Sequence, residues 1–178
     1  MNWNDLIAMD DCHINLIASF IEATKPQTVL ELGIGSGRLT KAMQLALEFN
    51  GTGTLTAVDN WADWQGQRPD HLKINPNIRI IVSGEEEFVK SQPSDSINLL
   101  ISDADHFRSH LWFSEHVRIL SPGGFAFFHD TNAPQMFPGL ATLPQKAQEM
   151  GLLSIHFTKS SRSDERCNRG LLMIRKPL

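Results

Sequence analysis

Two hydrophobic rhythms alternate along this chain. Short apolar runs at 29–32, 54–58, 78–82, 96–101 and 125–128 predict buried strands, and the stretches between most of them carry apolar residues at helical spacing. The first helix is 11–24, with Ile14, Leu16, Ile17, Phe20 and Ile21 close to one face and Lys25-Pro26 closing it. Leu39, Ala42, Met43, Ala46 and Phe49 line a second helix, which Asn50-Gly51 terminates. A third follows Ser83-Gly84-Glu85 and stops before Gln92-Pro93, and a fourth spans about 109–120, ahead of Pro122-Gly123-Gly124. Strands alternating with helices predict a parallel sheet covered on both faces by right-handed crossovers.

The last part of the chain differs in kind. Residues 140–150 have a helical pattern, whereas 152–157 and 170–174 read as strands. The polar stretch 159–169 between them leaves no room for a crossover helix, so these strands are expected to pair antiparallel. Residues 60–73, polar and aromatic with Trp61 and Trp64, are expected to be irregular.

The stretch VLELGIGSGRLT at 29–40 organises the rest: a strand, a loop with Gly33, Gly35 and Gly37, then a helix from near Arg38. Glycine permits positive φ in a tight turn and lets a ligand approach where a Cβ would collide. The free N–H groups at the helix start favour a carboxylate or phosphate. In open α/β sheets ligands bind beyond the carboxyl ends of the strands. Here those ends carry Asp59, the run Ser102-Asp103-Ala104-Asp105-His106, and His129-Asp130. A carboxylate in the position of Asp59 can accept hydrogen bonds from both ribose hydroxyls of a nucleoside. The nicotinamide fingerprint G-x-G-x-x-G is absent, because position 38 is arginine, which argues against a dehydrogenase.

Composition narrows the classes further. The 178 residues suit one domain with a real core, spanning 1–178. A formal net charge of −4 argues against a general nucleic-acid binder, since phosphate backbones reward dense Lys and Arg. Asp5, Asp10, Asp11 and His13 break up the first residues, and no apolar run is long enough to span a bilayer. No membrane partner is expected, and the protein is expected to be cytoplasmic. Cys12 and Cys167 are expected to be free thiols.

Taken together, Glu31-Leu-Gly-Ile-Gly-Ser-Gly37, Asp59, Asp103 and Pro122-Gly123-Gly124 resemble the class I S-adenosylmethionine-dependent methyltransferases over nearly the whole chain. Within that class, LISDADH at 100–106 and PGGFAFFHDT at 122–131 are similar to the macrocin O-methyltransferase and cephalosporin-hydroxylase-like group. The resemblance implies a Rossmann-like, doubly wound α/β sheet of order 3-2-1-4-5-7-6 with an antiparallel last strand. It also implies S-adenosylmethionine as cofactor and methyl transfer to a small hydroxylated acceptor, such as a sugar or secondary metabolite. The alternative is a cofactor-binding module without transferase activity. The short chain suits a small acceptor, or a pocket completed by another subunit of a homo-oligomer.

In that frame Gly33, Ile34, Gly35, Ser36 and Gly37 contact the methionine part, with Glu31 orienting its ammonium. Asp59 and Asn60 hold the ribose, where each charge-assisted bond contributes roughly 1.5 to 3 kcal/mol. Ser83, Gly84 and Glu85 meet the adenine, on which Trp61 stacks; the other readings are a helix-start carboxylate for Glu85 and loop packing for Trp61. Asp103 lies on both sides of the division, touching cofactor and acceptor. His106, three residues on, is either the base that takes the acceptor proton or a cap of the following helix. An unperturbed imidazole, with a pKa of roughly 6.5, is mostly neutral at neutral pH. Asp103 and Asp130 form a candidate site for Mg²⁺ or another divalent cation; the other reading is a site without metal in which Asp130 caps a turn with Thr131. Similar cation-dependent enzymes place two acidic or amide ligands after the fifth strand, and here the first of these positions is His129. Asp105 is expected to serve in hydrogen bonding. His13 is expected to be solvated or capping, and 159–169, with Arg169, a solvated hairpin tip. Met136 and Phe137 on the loop after the fifth strand are expected to wall the acceptor pocket.

Overall fold

Successive side chains of a strand point to opposite faces, and the apolar pairs of this chain use both. The computed structural model describes residues 9–62, 78–158 and 169–178. Trp64, Cys167 and most of the expected irregular and hairpin-tip segments lie outside the described residues. β1 (Thr28–Leu32), β2 (Thr54–Asp59), β3 (Ile78–Val82), β4 (Ile97–Ser102), β5 (Leu120–His129), β6 (Leu153–Phe157) and β7 (Leu171–Arg175) form one sheet of order β3-β2-β1-β4-β5-β7-β6. β1 to β5 are parallel, and β7 runs antiparallel between β5 and β6. The predicted fold and strand order are those observed.

One face of the sheet packs against α1 (Asp11–Thr24) and α2 (Arg38–Asn50), where Ile17, Ile21, Met43 and Leu47 meet Val29, Leu99, Ile101 and Phe127. The other packs against α3 (Glu85–Ser91), α4 (Phe113–Ile119) and α5 (Leu143–Glu149), where Val89, Phe113 and Leu143 meet Leu30, Leu32, Leu100 and Phe128. Neighbours in sequence such as Phe127 and Phe128 thus serve opposite layers. α1 ends on Lys25 in the left-handed region, φ 49°, and α2 on Gly51, φ 66°, as the Lys-Pro and Asn-Gly signals require.

Three boundaries differ from expectation. β5 begins at Leu120 rather than Phe125, because the strand continues through 121–124 as a bulge against β4, with Gly123 at φ 75°. The register moves from Ile97↔Leu120 to Leu99↔Phe125 across this bulge. Gly124 permits it, since a Cβ there would lie 2.8 Å from the Ser121 carbonyl oxygen and 3.1 Å from that of Asn98. The fourth predicted helix opens as a 3₁₀ turn, Ser109–Trp112, and becomes α-helical only at Phe113. The helix expected over 140–150 also opens as a 3₁₀ turn, Leu140–Thr142, with Pro144 in the first turn of α5, where its missing N–H costs nothing.

A buried carboxylate ties α3 to the ends of β4 and α4. Glu85 accepts hydrogen bonds from the hydroxyls of Ser102 (3.0 Å) and Ser109 (2.8 Å) and from the Asp105 backbone N–H (3.0 Å), and its Oε1 lies 2.9 Å from His116 Nε2. Burial opposes its charge, but His116 and these donors hold its pKa below the ordinary 4.5. Its stabilisation is therefore present above pH 4.5 and is lost as pH falls through the lower folded value. Glu85→Ala, which strands a buried imidazole and two hydroxyls, is expected to lose about 3 to 5 kcal/mol in urea denaturation. A loss below about 1 kcal/mol would show that this network is not a fastening of the fold.

Candidate active site

The strand order reverses between β1 and β4, and the chain leaves their carboxyl ends side by side. Gly33 N–H donates to the Val58 carbonyl (2.9 Å) and Asp103 N–H to that of Leu32 (2.8 Å). With φ +90°, Gly33 presses so close to β4 that a Cβ would sit 2.2 Å from the Asp103 carbonyl oxygen. Beyond this contact opens a cavity of about 660 Å³. Its lining includes Gly33, Ile34, Gly35 and Ser36 from the loop, Asp59 and Asn60 after β2, Gly84 and Glu85 at α3, and Asp103 and His106 after β4. Gly37 does not line it; it sits at the N-cap position of α2 with φ 77°.

Asp59 braces the loop. One carboxylate oxygen accepts from the N–H groups of Ile34 (2.8 Å) and Gly35 (2.9 Å), the other from Trp61 (2.6 Å). A carboxylate has about four acceptor sites, so lone-pair capacity remains towards the cavity. Trp61 does not offer its face to a ligand: it is 2% exposed, packed with Ile34 and Ala57, and the packing reading holds. Glu85 borders the cavity, but its carboxylate is turned inward to His116 and the two serines.

Glu31 is fully buried beneath the loop, and neither carboxylate oxygen meets a hydrogen-bond donor in good geometry among the described residues. Burial pushes its carboxyl up to about 8; the nearby Thr40 hydroxyl opposes the shift, and the charges of Asp59 and Asp103 add to it.

The far wall is a charged cluster. His106 Nε2 lies 3.3 Å from Asp103 Oδ1 and 3.1 Å from Asp130 Oδ2, and His129 Nδ1 lies 3.1 Å from Asp103 Oδ1. Arg169 Nε is 3.5 Å from Asp130 Oδ1. Burial works against a charged His106, but Asp103 and Asp130 outweigh it and hold its pKa at about 10. The expectation of a mostly neutral His106 is thereby corrected: two carboxylates share its proton. Asp103 is likewise buried, yet His129 and His106 pull it down to about 2. Asp130 is a non-glycine residue at φ 59°, a backbone state concentrated at functional sites.

Asp130 also bears on the candidate cation. Both of its oxygens are buried without a hydrogen bond in good geometry, and they converge with Asp103 and His129 so that one ligand atom from each lies within 4.8 Å of the others. A divalent ion there would take over carboxylates that now face His106, His129 and Arg169; two carboxylates and one imidazole are a donor set that suits such an ion.

Several smaller expectations are also resolved. Asp105 accepts from the N–H groups of Phe107 (3.2 Å) and Arg108 (3.0 Å), a hydrogen-bonding role as expected. Phe137 packs on the His106 ring at 4.8 Å and Met136 is exposed, but neither lines the cavity itself. His13 is neither solvated nor capping: it is 6% exposed, facing Asp10 and His129. Arg169 is turned inward to Asp10 and Asp130 rather than standing on a solvated tip.

Sequence reasoning missed part of the lining. Lys90, Arg108 and Trp112 border the cavity, with the Arg108 guanidinium 5.2 Å from the Trp112 ring centre. The i, i+4 spacing of Glu86 and Lys90 was the only signal for that edge.

Comparison with known proteins agrees with this geometry. The family described as "Methyltransferase domain" matches residues 30–131, more than half of the chain. Among curated proteins none matches. Solved structures share the fold at low identity. A putative O-methyltransferase from Klebsiella pneumoniae is 14% identical, with TM-score 0.73 over 96% of this chain and 82% of that one. TomG from Streptomyces achromogenes, an O-methyltransferase involved in tomaymycin synthesis and solved with SAM, is 11% identical, with TM-score 0.72 over 97% and 82%. An O-methyltransferase from Bacillus cereus, solved with SAH, is 10% identical, with TM-score 0.74 over 95% and 82%. By its matched residues and its sheet, the chain belongs to the methyltransferase-domain family and is, in fold, a class I S-adenosylmethionine-dependent methyltransferase.

Proposed function

We propose that this methyltransferase moves the methyl group of S-adenosylmethionine to a hydroxyl of a small acceptor, a sugar or secondary metabolite with an apolar face. One observation carries the proposal: a single cavity joins the glycine loop and Asp59 to Asp103 and His106. SAM and SAH in the Streptomyces and Bacillus structures support the cofactor. Phe107, 72% exposed, with exposed Leu111 and Met136, supports an acceptor that offers apolar surface.

The close-approaching backbone of Gly33–Ser36 would lie along the methionine part, Asp59 and Asn60 would receive the ribose, and the wall at Gly84 the adenine. Glu31, alone in its buried pocket, is favoured in its ionised form once an ammonium lies above it. When bound, the cofactor supplies an activated methyl on a sulfonium sulfur. The acceptor oxygen forms the new C–O bond as the S–CH₃ bond breaks, and the hydroxyl proton goes to His106. Asp103 and Asp130 stabilise the imidazolium so formed and hold the ring in place. His106 gives up its resting proton more readily once positive charge occupies the cavity. The alternative use of Asp103 and Asp130 is to hold a divalent cation in place of the His106 imidazolium, and the chemistry it would supply there is to polarise the acceptor oxygen.

Three measurements test this. Asp59→Ala is expected to weaken S-adenosylmethionine binding at least roughly tenfold in calorimetry, since two charge-assisted bonds and the loop brace are lost. Unchanged affinity would sink the ribose assignment. His106→Gln is expected to lower kcat by about 10² to 10⁴ while leaving cofactor affinity within about twofold. Equal turnover by the variant would remove His106 from the chemistry.

The third test uses stability. An unfolded glutamate titrates near 4.5 and Glu31 near 8, so between these values the folded chain binds more protons and loses stability as pH rises. Glu31→Gln is expected to flatten that decline, melting above the unsubstituted chain at pH values beyond 8, and to bind S-adenosylmethionine more weakly. A variant that melts lower at high pH would mean that the buried carboxylate has a partner.

A further inference from the structure

His129 has two ring nitrogens with different surroundings. Nδ1 lies 3.1 Å from Asp103 Oδ1, an acceptor, so this nitrogen carries hydrogen and Asp103 fixes the ring. Nε2 points the other way, behind the active site, towards the start of α1. There it lies 3.6 Å from Asp10 Oδ2, and Asp10 Oδ2 lies 3.5 Å from His13 Nδ1. These three atoms converge within 4.8 Å, all on buried side chains, and none makes a hydrogen bond in good geometry among the described residues.

Asp10 occupies the N-cap position of α1 yet makes no side-chain capping bond. A capping aspartate normally stabilises a helix by about 1 kcal/mol. Asp10 forgoes this and turns its carboxylate to the two imidazoles. Arg169 Nη2 lies 3.3 Å from Asp10 Oδ1, which orients the carboxylate and leaves Oδ2 available.

We propose that Asp10, His13 and His129 form a second cation site, separate from the Asp103–Asp130 pair, for a nitrogen-preferring divalent ion of the zinc type. Bonds of about 2.0 to 2.2 Å put tetrahedral ligand atoms roughly 3.3 to 3.6 Å apart. The two distances to Asp10 Oδ2, 3.5 and 3.6 Å, match that spacing and the two imidazole nitrogens lie within 4.8 Å of each other, whereas an octahedral magnesium ion brings neighbouring ligands to about 2.9 Å. Two imidazoles and one carboxylate suit zinc, cobalt or ferrous ions better than magnesium. The hydrogen bond from His129 Nδ1 to Asp103 is the outer carboxylate partner that metal-bound histidines commonly have. On binding, His129 loses its Nε2 proton to solvent, and the ion pins the first turn of α1 to the end of β5.

Cobalt(II) alone, added to chelator-stripped full-length chain, provides the test. One equivalent is expected to give the visible absorption of a low-coordinate cobalt ion, and zinc is expected to displace it. Zinc in excess is expected to raise the melting temperature by roughly 5 °C. His13→Gln and Asp10→Asn are each expected to abolish both effects, while Asp130→Asn retains them. Circular dichroism of each variant confirms that it is folded. Cobalt absorption that survives in His13→Gln but disappears in Asp130→Asn would place the ion in the active site and overturn the proposal. So would the absence of cobalt binding in the unsubstituted chain. Magnesium that displaces cobalt at comparable concentration would refute the donor-set assignment.

Discussion

The carboxyl ends of β1 and β4 touch through Gly33 and the Asp103 backbone, and the rest of the site depends on that contact. The two strands pair in register up to Leu32↔Ser102, after which both chains turn out of the sheet. A side chain at position 33 would collide with the Asp103 carbonyl at 2.2 Å, so the glycine loop and the acidic turn can share a wall only because that residue has no Cβ. The contact brings the loop beside Asp103, three residues from His106. In the proposed reaction, the proximity of methyl donor and proton acceptor therefore begins as backbone packing at a topological switch point.

The two walls of the cavity are electrostatically unlike. Around Asp103, Asp130 and Asp10 the carboxylates face His106, His129 and Arg169, so negative and positive groups balance inside the protein. Glu31, beneath the loop, has no cationic partner among the described residues and is held partly protonated by its burial. An isolated buried acid is costly to keep charged, and its cost falls when a cation is bound nearby. In the proposed function the isolated acid lies on the side of the cofactor's ammonium, and the compensated cluster on the side of the acceptor's proton.

Most of the fold was legible because it rests on local signals. Short apolar runs gave the strands, helical spacing gave α1 and α2, and Lys25-Pro26 and Asn50-Gly51 gave their ends. Where local signals compete, the sequence misled. The Pro-Gly-Gly at 122–124 reads as a turn, yet β5 runs through it as a bulge, because Gly124 fits against the β4 carbonyls. The site was legible as a set of polar residues at strand ends, but the partners of each were not. Glu85 faces the helix dipole by sequence; in the structure it faces His116 and two serines, thirty-one residues away at the farthest. His106 reads as an ordinary imidazole until Asp130, on another strand, is seen beside it. Burial and partner charge, which decide protonation, arise only when distant segments meet.

The same meeting of distant segments gives α1 its role, through His129. Its Nδ1 holds the carboxylate of Asp103, and its Nε2 faces Asp10 and His13 from the helix start. The ring cannot turn without breaking one of these relations, because it is fully buried and the two nitrogens lie on opposite sides. The start of α1 is thus mechanically joined to Asp103, which lines the cavity. In this position imidazole does something that the carboxylate or amide expected of cation-dependent relatives does not. It presents a donor to Asp103 and, on its far side, a ligand to a separate set of atoms. The departure from the family pattern at this residue therefore moves donor capacity from the cavity to the buried layer behind it.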